Sequence, residues 1–164
     1  MKVGFNMKNE SAIQLWKEFK KTNPNAPSEY DVWAFGNSKE MADELASLVL
    51  KGIKTATASN YILYDLENES YPYPRLHNII LDGSAEAVAI IETTAVKVVP
   101  FDEVTEEHAY SEGEGDRSLA YWRAVHETFF TKEFAAIEQE FSDKMLVVCE
   151  RFNLVFTKEG YIEN

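Results

Sequence analysis

The sequence predicts an α+β fold built around a mostly antiparallel sheet or barrel with helices at its flanks. Strand-like pattern occupies residues 53–64, 79–82, 87–99 and 145–156. These stretches are seldom interleaved with helices in the strand–helix–strand order of a parallel sheet, and amphipathic helical segments bracket them. At 164 residues the chain reads as one domain. A chain of this size buries roughly 70% of its unfolded surface, which is enough to fold without a disulfide or a metal.

Each element has its own signal. Residues 10–22 carry Ala12, Ile13, Leu15, Trp16 and Phe19 at helical spacing, with Lys17, Lys20 and Lys21 toward the end, where cations suit the helix dipole. Pro24 and Pro27 then break the chain. That break divides a helical arm (1–29) from a main domain (30–157), followed by a tail (158–164). Asn37, with Glu40 three residues on, predicts the cap of a helix through Leu50 that buries Met41, Leu45, Leu48 and Val49. Gly52 falls where a left-handed C-cap belongs. A strand pattern follows through Thr55, Thr57 and Tyr61 to Tyr64, and then a loop over 65–78. Ile79 to Asp82, ended by the Asp82-Gly83 turn signal, and Ala87 to Val99 read as strands. A short helix is expected from Pro100 or Asp102 to about Tyr110, before the acidic loop Ser111-Glu112-Gly113-Glu114-Gly115. Asp116 is placed to cap a helix carrying Leu119, Tyr121, Trp122, Val125 and His126. A further helical stretch covers Phe134 to Phe141, and Met145 to Phe156 closes as a long strand.

Charge excludes one function class. Acidic residues number 28 against 16 basic ones, a net charge of −12. A field of that sign repels phosphate backbones, so a long basic tract following duplex DNA is ruled out, while a short basic cleft is compatible. The single cysteine, Cys149, forms no internal disulfide or cysteine-based zinc site, and a reducing compartment is its simplest setting. The first eight residues lack an apolar core of the kind export signals carry, and no apolar run approaches the ~20 residues of a membrane span. A soluble, cytoplasmic protein without a membrane partner is expected.

Several motifs fail on spacing. Lys51-Gly52-Ile53-Lys54-Thr55 resembles a phosphate loop only superficially, because Ile53 and Leu48 stand where that loop needs glycines. His77, His108 and His126 are scattered, with no zinc-hydrolase pair. Glu112, Glu114 and Asp116 alternate with glycines that fall where a calcium loop places ligands. No metal and no cofactor are expected. Tyr61, Tyr64, Tyr71 and Tyr73, with Arg75, are able to stack on bases, but packing within a hairpin is the favoured account. Trp33 and Phe35 either wall a pocket or staple the following helix to the sheet.

One set of motifs remains. Gly52-x-Lys54-x-x-Thr57, after a helix and opening a strand, resembles the signature of the ASCH (activating signal cointegrator homology) family. Glu106-Glu107-His108-Ala109 followed by Glu112 resembles the helix on which small ASCH proteins place an acid four residues after a histidine. Trp33-Ala34-Phe35-Gly36, the run from Glu112 to Asp116, and Trp122-Arg123-x-x-His126 are similar to patterns of the larger bacterial branch. The resemblance covers roughly residues 30–157 and departs at Leu76-His77-Asn78, where a Gly-Asp turn is expected. It implies a PUA-like barrel, a fold linked to RNA binding. In small ASCH enzymes that deacetylate 4-acetylcytidine, a lysine, a threonine and a glutamate act together. By position these are Lys54, Thr57 and Glu112, with Gly52, Trp33, Phe35, His108 and Arg117 around the ligand. The longer branch also includes a ribonuclease-like activity.

Elementary chemistry sets conditions on that trio. A threonine hydroxyl needs a base before it attacks, and a neutral lysine serves only if its pKa falls far below ~10.4. A nearby Glu112 pushes the other way. Either Glu112 contacts water or substrate, or Lys54 stays charged and stabilises an oxyanion. Lys54 and Thr57 point to opposite faces of a regular strand, so they converge only if the chain bends after Gly52. The expected ligand is a nucleobase, a modified nucleoside or a short single-stranded RNA in a barrel cleft, with hydrolysis of an acylated nucleoside's amide as the enzymatic form. The alternatives are a non-catalytic RNA-binding or regulatory domain, and a metal-assisted ribonuclease.

Overall fold

A computed structural model describes residues 2–5 and 8–158 of the chain. Among the described residues, six strands form one sheet: β1 (Lys2–Phe5), β2 (Asp31–Phe35), β3 (Ala56–Asn60), β4 (His77–Leu81), β5 (Ala87–Pro100) and β6 (Leu146–Thr157). Their order is β1-β2-β4-β5-β6-β3. Only β2 and β4 run parallel; the other four pairings are antiparallel. The long strands β5 and β6 shift register near Ile90/Ile91 and Thr93/Ala95. Such irregularities bend a strand and sharpen its twist, and the sheet curls into a half-barrel. The fold is α+β, as the sequence predicts.

The described residues also form five helices against the sheet: α1 (Glu10–Thr22), α2 (Lys39–Leu50), α3 (Tyr61–Leu66), α4 (Glu106–Glu112) and α5 (Leu119–Ala136). They divide the core in two. The helix α1 lays Ala12, Leu15, Trp16 and Phe19 over Val32, Ile79, Leu81, Ile90 and Phe156. The larger core joins Leu45 and Val49 of α2 and Trp122, Phe129, Phe130 and Phe134 of α5 to Phe35, Ile80, Ile91, Val147 and Phe152. Adjacent residues Ile90 and Ile91 face different cores, because successive side chains along a strand point to opposite faces of the sheet. Complete burial of each such side chain stabilises the fold by about 1.5–3 kcal/mol.

Several boundaries differ from expectation for identifiable reasons. Ser38, not Asn37, caps α2, because its Oγ accepts from the Met41 amide at 3.1 Å. Tyr61 to Tyr64 are helical rather than extended. The β3–β6 ladder ends at Asn60, after which Tyr61 and Tyr64 both pack on Tyr71, at 5.1 and 5.3 Å between centroids. Tyr64 also shares a 2.7 Å hydrogen bond with Ser59. Aromatic packing at one-turn spacing thus prevails over the β preference of those residues. The strand β4 begins at His77 rather than Ile79, so His77 and Asn78 belong to the sheet, and the Leu76 amide closes the preceding turn by donating to Tyr73 O at 3.1 Å. The expected helix after Pro100 is two pieces, a 3-10 turn at Phe101–Glu103 and then α4, capped by Thr105. Ser118 caps α5, while Asp116 Oδ1 accepts from the Ser118 amide at 2.9 Å. The stretch to Phe141 is not a separate helix. The helix α5 runs unbroken to Ala136, and the chain then turns through Glu138 at φ 59°. Two strands, β1 and β2, carry no prediction at all. Beyond Lys158 the expected tail lies outside the described residues.

Candidate functional site

The site begins with the way α2 ends. Gly52 adopts φ +73°; its amide donates to Val49 O and that of Ile53 to Leu48 O, both at 3.0 Å. This is a Schellman ending with glycine at the left-handed position. Nothing lies within 4 Å of a Cβ built on Gly52, so conformation rather than space calls for glycine there. Residues 53–55 stay irregular before β3 starts at Ala56. The Thr55 amide donates to Ser111 O at 2.8 Å and the Phe152 amide to Thr55 O at 3.0 Å. Lys54 is thereby fixed between the end of α2, the last turn of α4 and β6.

Its ammonium group meets three acceptors. Nζ donates to Glu112 Oε1 and to the Glu112 carbonyl, each at 3.3 Å, and to Glu114 Oε2 at 2.9 Å. The Phe35 ring lies 5.2 Å away, centroid to Nζ. Glu112 is itself held from the other side. Its Oε2 accepts from His108 Nε2 at 2.8 Å and from Trp122 Nε1. His126 Nε2 lies 3.6 Å from Glu112 Oε1, and its ring stacks on Trp122 at 4.1 Å. The helix α4 supplies His108 and Glu112 one turn apart, and α5 supplies Trp122 and His126 one turn apart. The result is a polar network inside the larger core. The side chains of Lys54 and Glu112 have no exposed surface, and that of Glu114 keeps 11%.

Electrostatics fix the charges. Burial disfavours the Lys54 ammonium, but the Glu114 and Glu112 carboxylates outweigh it and raise its pKa above the ordinary lysine value. Burial likewise disfavours the Glu112 carboxylate, yet Lys54, His126 and the His108 hydrogen bond bring its pKa well below the usual range. Both members are ionised, the opposite of what a lysine general base requires. A desolvated ammonium of this kind suits a developing negative charge. Burial pushes the Cys149 thiol up to about 12, so it offers no thiolate nucleophile near neutrality.

The other expected residues fall in different places. Thr57 is buried in β3 directly opposite Glu150 of β6, and the two share a face of the sheet. Phe35 and Trp33 are core residues in edge-to-face contact at 4.7 Å, and Trp33 Nε1 donates to Asn78 Oδ1 at 2.9 Å. Arg117 lies over the Tyr110 ring at 3.6 Å; its Nε donates to Tyr110 O at 2.9 Å and its Nη2 to Ile53 O at 3.4 Å. His108 bridges two environments, because it also lines a cavity of about 340 Å³ with Lys97, Val104, Thr105, Cys149 and Arg151. Three network members were not expected at the site. Glu114 reads from sequence as a solvated loop residue, and His126 as a core histidine. The one available signal for Trp122 and His126 is their four-residue spacing in a family-like pattern.

Glu112, Glu114 and His126 bring ligand-type atoms within 4.8 Å of one another, a spacing a cation would accept. The Lys54 ammonium already sits against both carboxylates, and its charge opposes a second cation there.

The ASCH domain family model matches residues 31–156. Two solved structures are similar over nearly the whole chain. A DUF984-family protein from Enterococcus faecalis is 37% identical, with 89% of this chain and 88% of that one covered and a TM-score of 0.83. An ASCH domain from Lactobacillus crispatus is 28% identical, with 93% and 98% covered and a TM-score of 0.85. Among curated proteins, none matches.

Proposed function

Because the chain belongs to the ASCH domain family, we propose that it binds a nucleobase-bearing ligand, a modified nucleoside or short single-stranded RNA, and hydrolyses the exocyclic amide of an acylated nucleoside. The observation that carries this reading is the Lys54 ammonium, kept charged without solvent between two carboxylates. A charge held in that way is worth far more to a developing oxyanion than the same charge in water.

In this reading Thr57 Oγ attacks the acyl carbon and Lys54 stabilises the oxyanion that forms. Glu150, which faces Thr57 across the β3–β6 pair, takes the hydroxyl proton and delivers it to the exocyclic nitrogen as the C–N bond breaks, leaving the free amine and an acyl ester. Water then hydrolyses the ester to a carboxylic acid and regenerates the hydroxyl. Glu112, with one oxygen on Lys54 and the other on His108 and Trp122, anchors the lysine rather than carrying protons. The ligand is small and lightly charged, consistent with the net charge of −12.

One observation favours a second reading. Lys54, Thr57 and Glu112 are each 1% exposed or less, as suits a binding domain whose network shapes the cleft without reacting.

The test is a panel of N-acylated and unmodified nucleosides, assayed for binding and for release of the free base amine. Wild type is expected to turn over an acylated member, and Lys54→Met to lose about 10²-fold or more in kcat. Lys54→Arg retains the charge and separates its loss from loss of fold. Binding without turnover selects the second reading. Activity abolished by a chelator, or no binding to any member, rejects the proposal.

A further inference from the structure

Glu114 stands apart from the rest of the network. Of the three contacts on Lys54 Nζ, its own is the shortest at 2.9 Å, yet it is the partner with exposed surface. It is carried on the connection between α4 and the Ser118 cap of α5, which turns through Gly113 at φ +76°, Gly115 at +58° and Arg117 at +64°. The backbone of that connection is pinned. A Cβ on Gly113 would lie 2.6 Å from Ile53 O, and Arg117 reaches the same carbonyl. What remains movable is the Glu114 side chain, at the solvent edge of an otherwise closed site.

We propose that Glu114 is a displaceable stand-in for the ligand, its carboxylate occupying the seat on Lys54 that the ligand's own planar oxygen takes. That oxygen is an acyl carbonyl, or the carboxylate released from it. Glu112 cannot exchange in this way, because Lys54, His108 and Trp122 hold both of its oxygens. Glu114 has one contact to give up, and on rotating outward its carboxylate regains water. Charge counting agrees. One ammonium facing two carboxylates carries an excess of one negative charge; with Glu114 withdrawn the pair is neutral, and a carbonyl enters without repulsion. A carboxylate product competes for the seat against a tethered carboxylate at high effective concentration, so Glu114 favours its expulsion. The identity of the ligand rests on the function proposed above; the stand-in role does not, and it is testable without a nucleoside.

The probe is acetate, with chloride at equal ionic strength as control. Glu114→Ala vacates the seat. Its melting temperature is expected to rise saturably with acetate, at concentrations at least tenfold lower than any response of wild type. The response is expected to vanish when Lys54→Met is added. Glu114→Gln keeps the shape while weakening the hold on Lys54, and is expected to bind an N-acylated cytidine at least threefold more tightly than wild type. If Glu114→Ala does not fold, Glu114→Gln goes through the same acetate titration, with a smaller but Lys54-dependent response expected. Equal acetate responses in wild type and variant overturn the stand-in, as does nucleoside binding that neither substitution alters. Acetate occupancy without binding of any acylated nucleoside supports the stand-in and removes the proposed function.

Discussion

The substitution Glu133→Gln tests a half-buried carboxylate on the helix that also carries Trp122 and His126 to the site. Burial pushes the Glu133 carboxyl up from 4.5 to about 7, and the charge of Glu67 adds in the same direction. The Asn60 side chain beside Glu133 works against the shift without cancelling it. A raised acid pKa means that the folded protein binds the proton more tightly than the unfolded chain. The stabilising effect of protonation is therefore fully present below about 4.5 and is lost as pH rises through about 7. At about 1.4 kcal/mol per pH unit, ionised Glu133 costs the fold roughly 3 kcal/mol above that range. Gln is never charged. The variant is expected to be more stable than wild type by up to about 3 kcal/mol at pH 8, a rise of ~6–12 °C in Tm for a chain of this size. At pH 4 the two proteins are expected to melt together. Urea and thermal unfolding at pH 4, 6 and 8 measure the difference, in which the other titrating groups cancel. A gain of equal size at all three pH values would refute the reasoning, and so would none at pH 8.

Three further outcomes are expected. Lys54→Met leaves the two carboxylates without their cation and is expected to destabilise by about 3–5 kcal/mol, with part recovered by adding Glu112→Gln; chemical denaturation of the two single variants and the double measures this. Gly52→Ala meets no atom and costs only the left-handed conformation, about 1–2 kcal/mol, whereas Gly113→Ala adds a clash with Ile53 O and is expected to lower Tm further. Cys149, with its thiol held near 12, is expected to resist alkylation at pH 8 in the native protein and to react rapidly in denaturant; comparable native and denatured rates would contradict its burial.

Lys54 is 1% exposed, so its ammonium belongs to the packed interior and its loss bears on stability as well as on the site. What the sequence made legible was local. The ends of α1 and α2, the left-handed Gly52 and the long strands β5 and β6 rest on short-range rules of periodicity and capping, and these appear within a residue or two of expectation. The pairing of Lys54 with Glu112 was legible only as a resemblance, since 58 residues separate them. Nothing in the spacing of either segment states that they meet. The strand β2 was missed because Asp31–Phe35 is buried almost throughout, with no alternation to betray it, and its parallel partner β4 lies beyond two helices. The tyrosine run has the pattern of a strand because β propensity is a property of single residues, whereas the Tyr61–Tyr71 and Tyr64–Tyr71 contacts are tertiary.

The same distinction explains why the sequence presents Glu114 as a solvated loop acid. Glycines on both sides and a high local density of acids describe an exposed turn, yet the Glu114 side chain keeps only 11% of its surface. What alters its role is a single cation arriving from another part of the chain. With Lys54 buried, and with Gly113 packed on the Ile53 carbonyl and Arg117 bonded to it, the adjoining carboxylate is drawn inward as the nearest counter-charge. A buried ammonium with one removable acceptor and one fixed acceptor is a site with a vacancy on demand. The Glu114 substitutions separate that arrangement from a static ion pair, because a static pair, once broken, has no reason to prefer acetate over chloride.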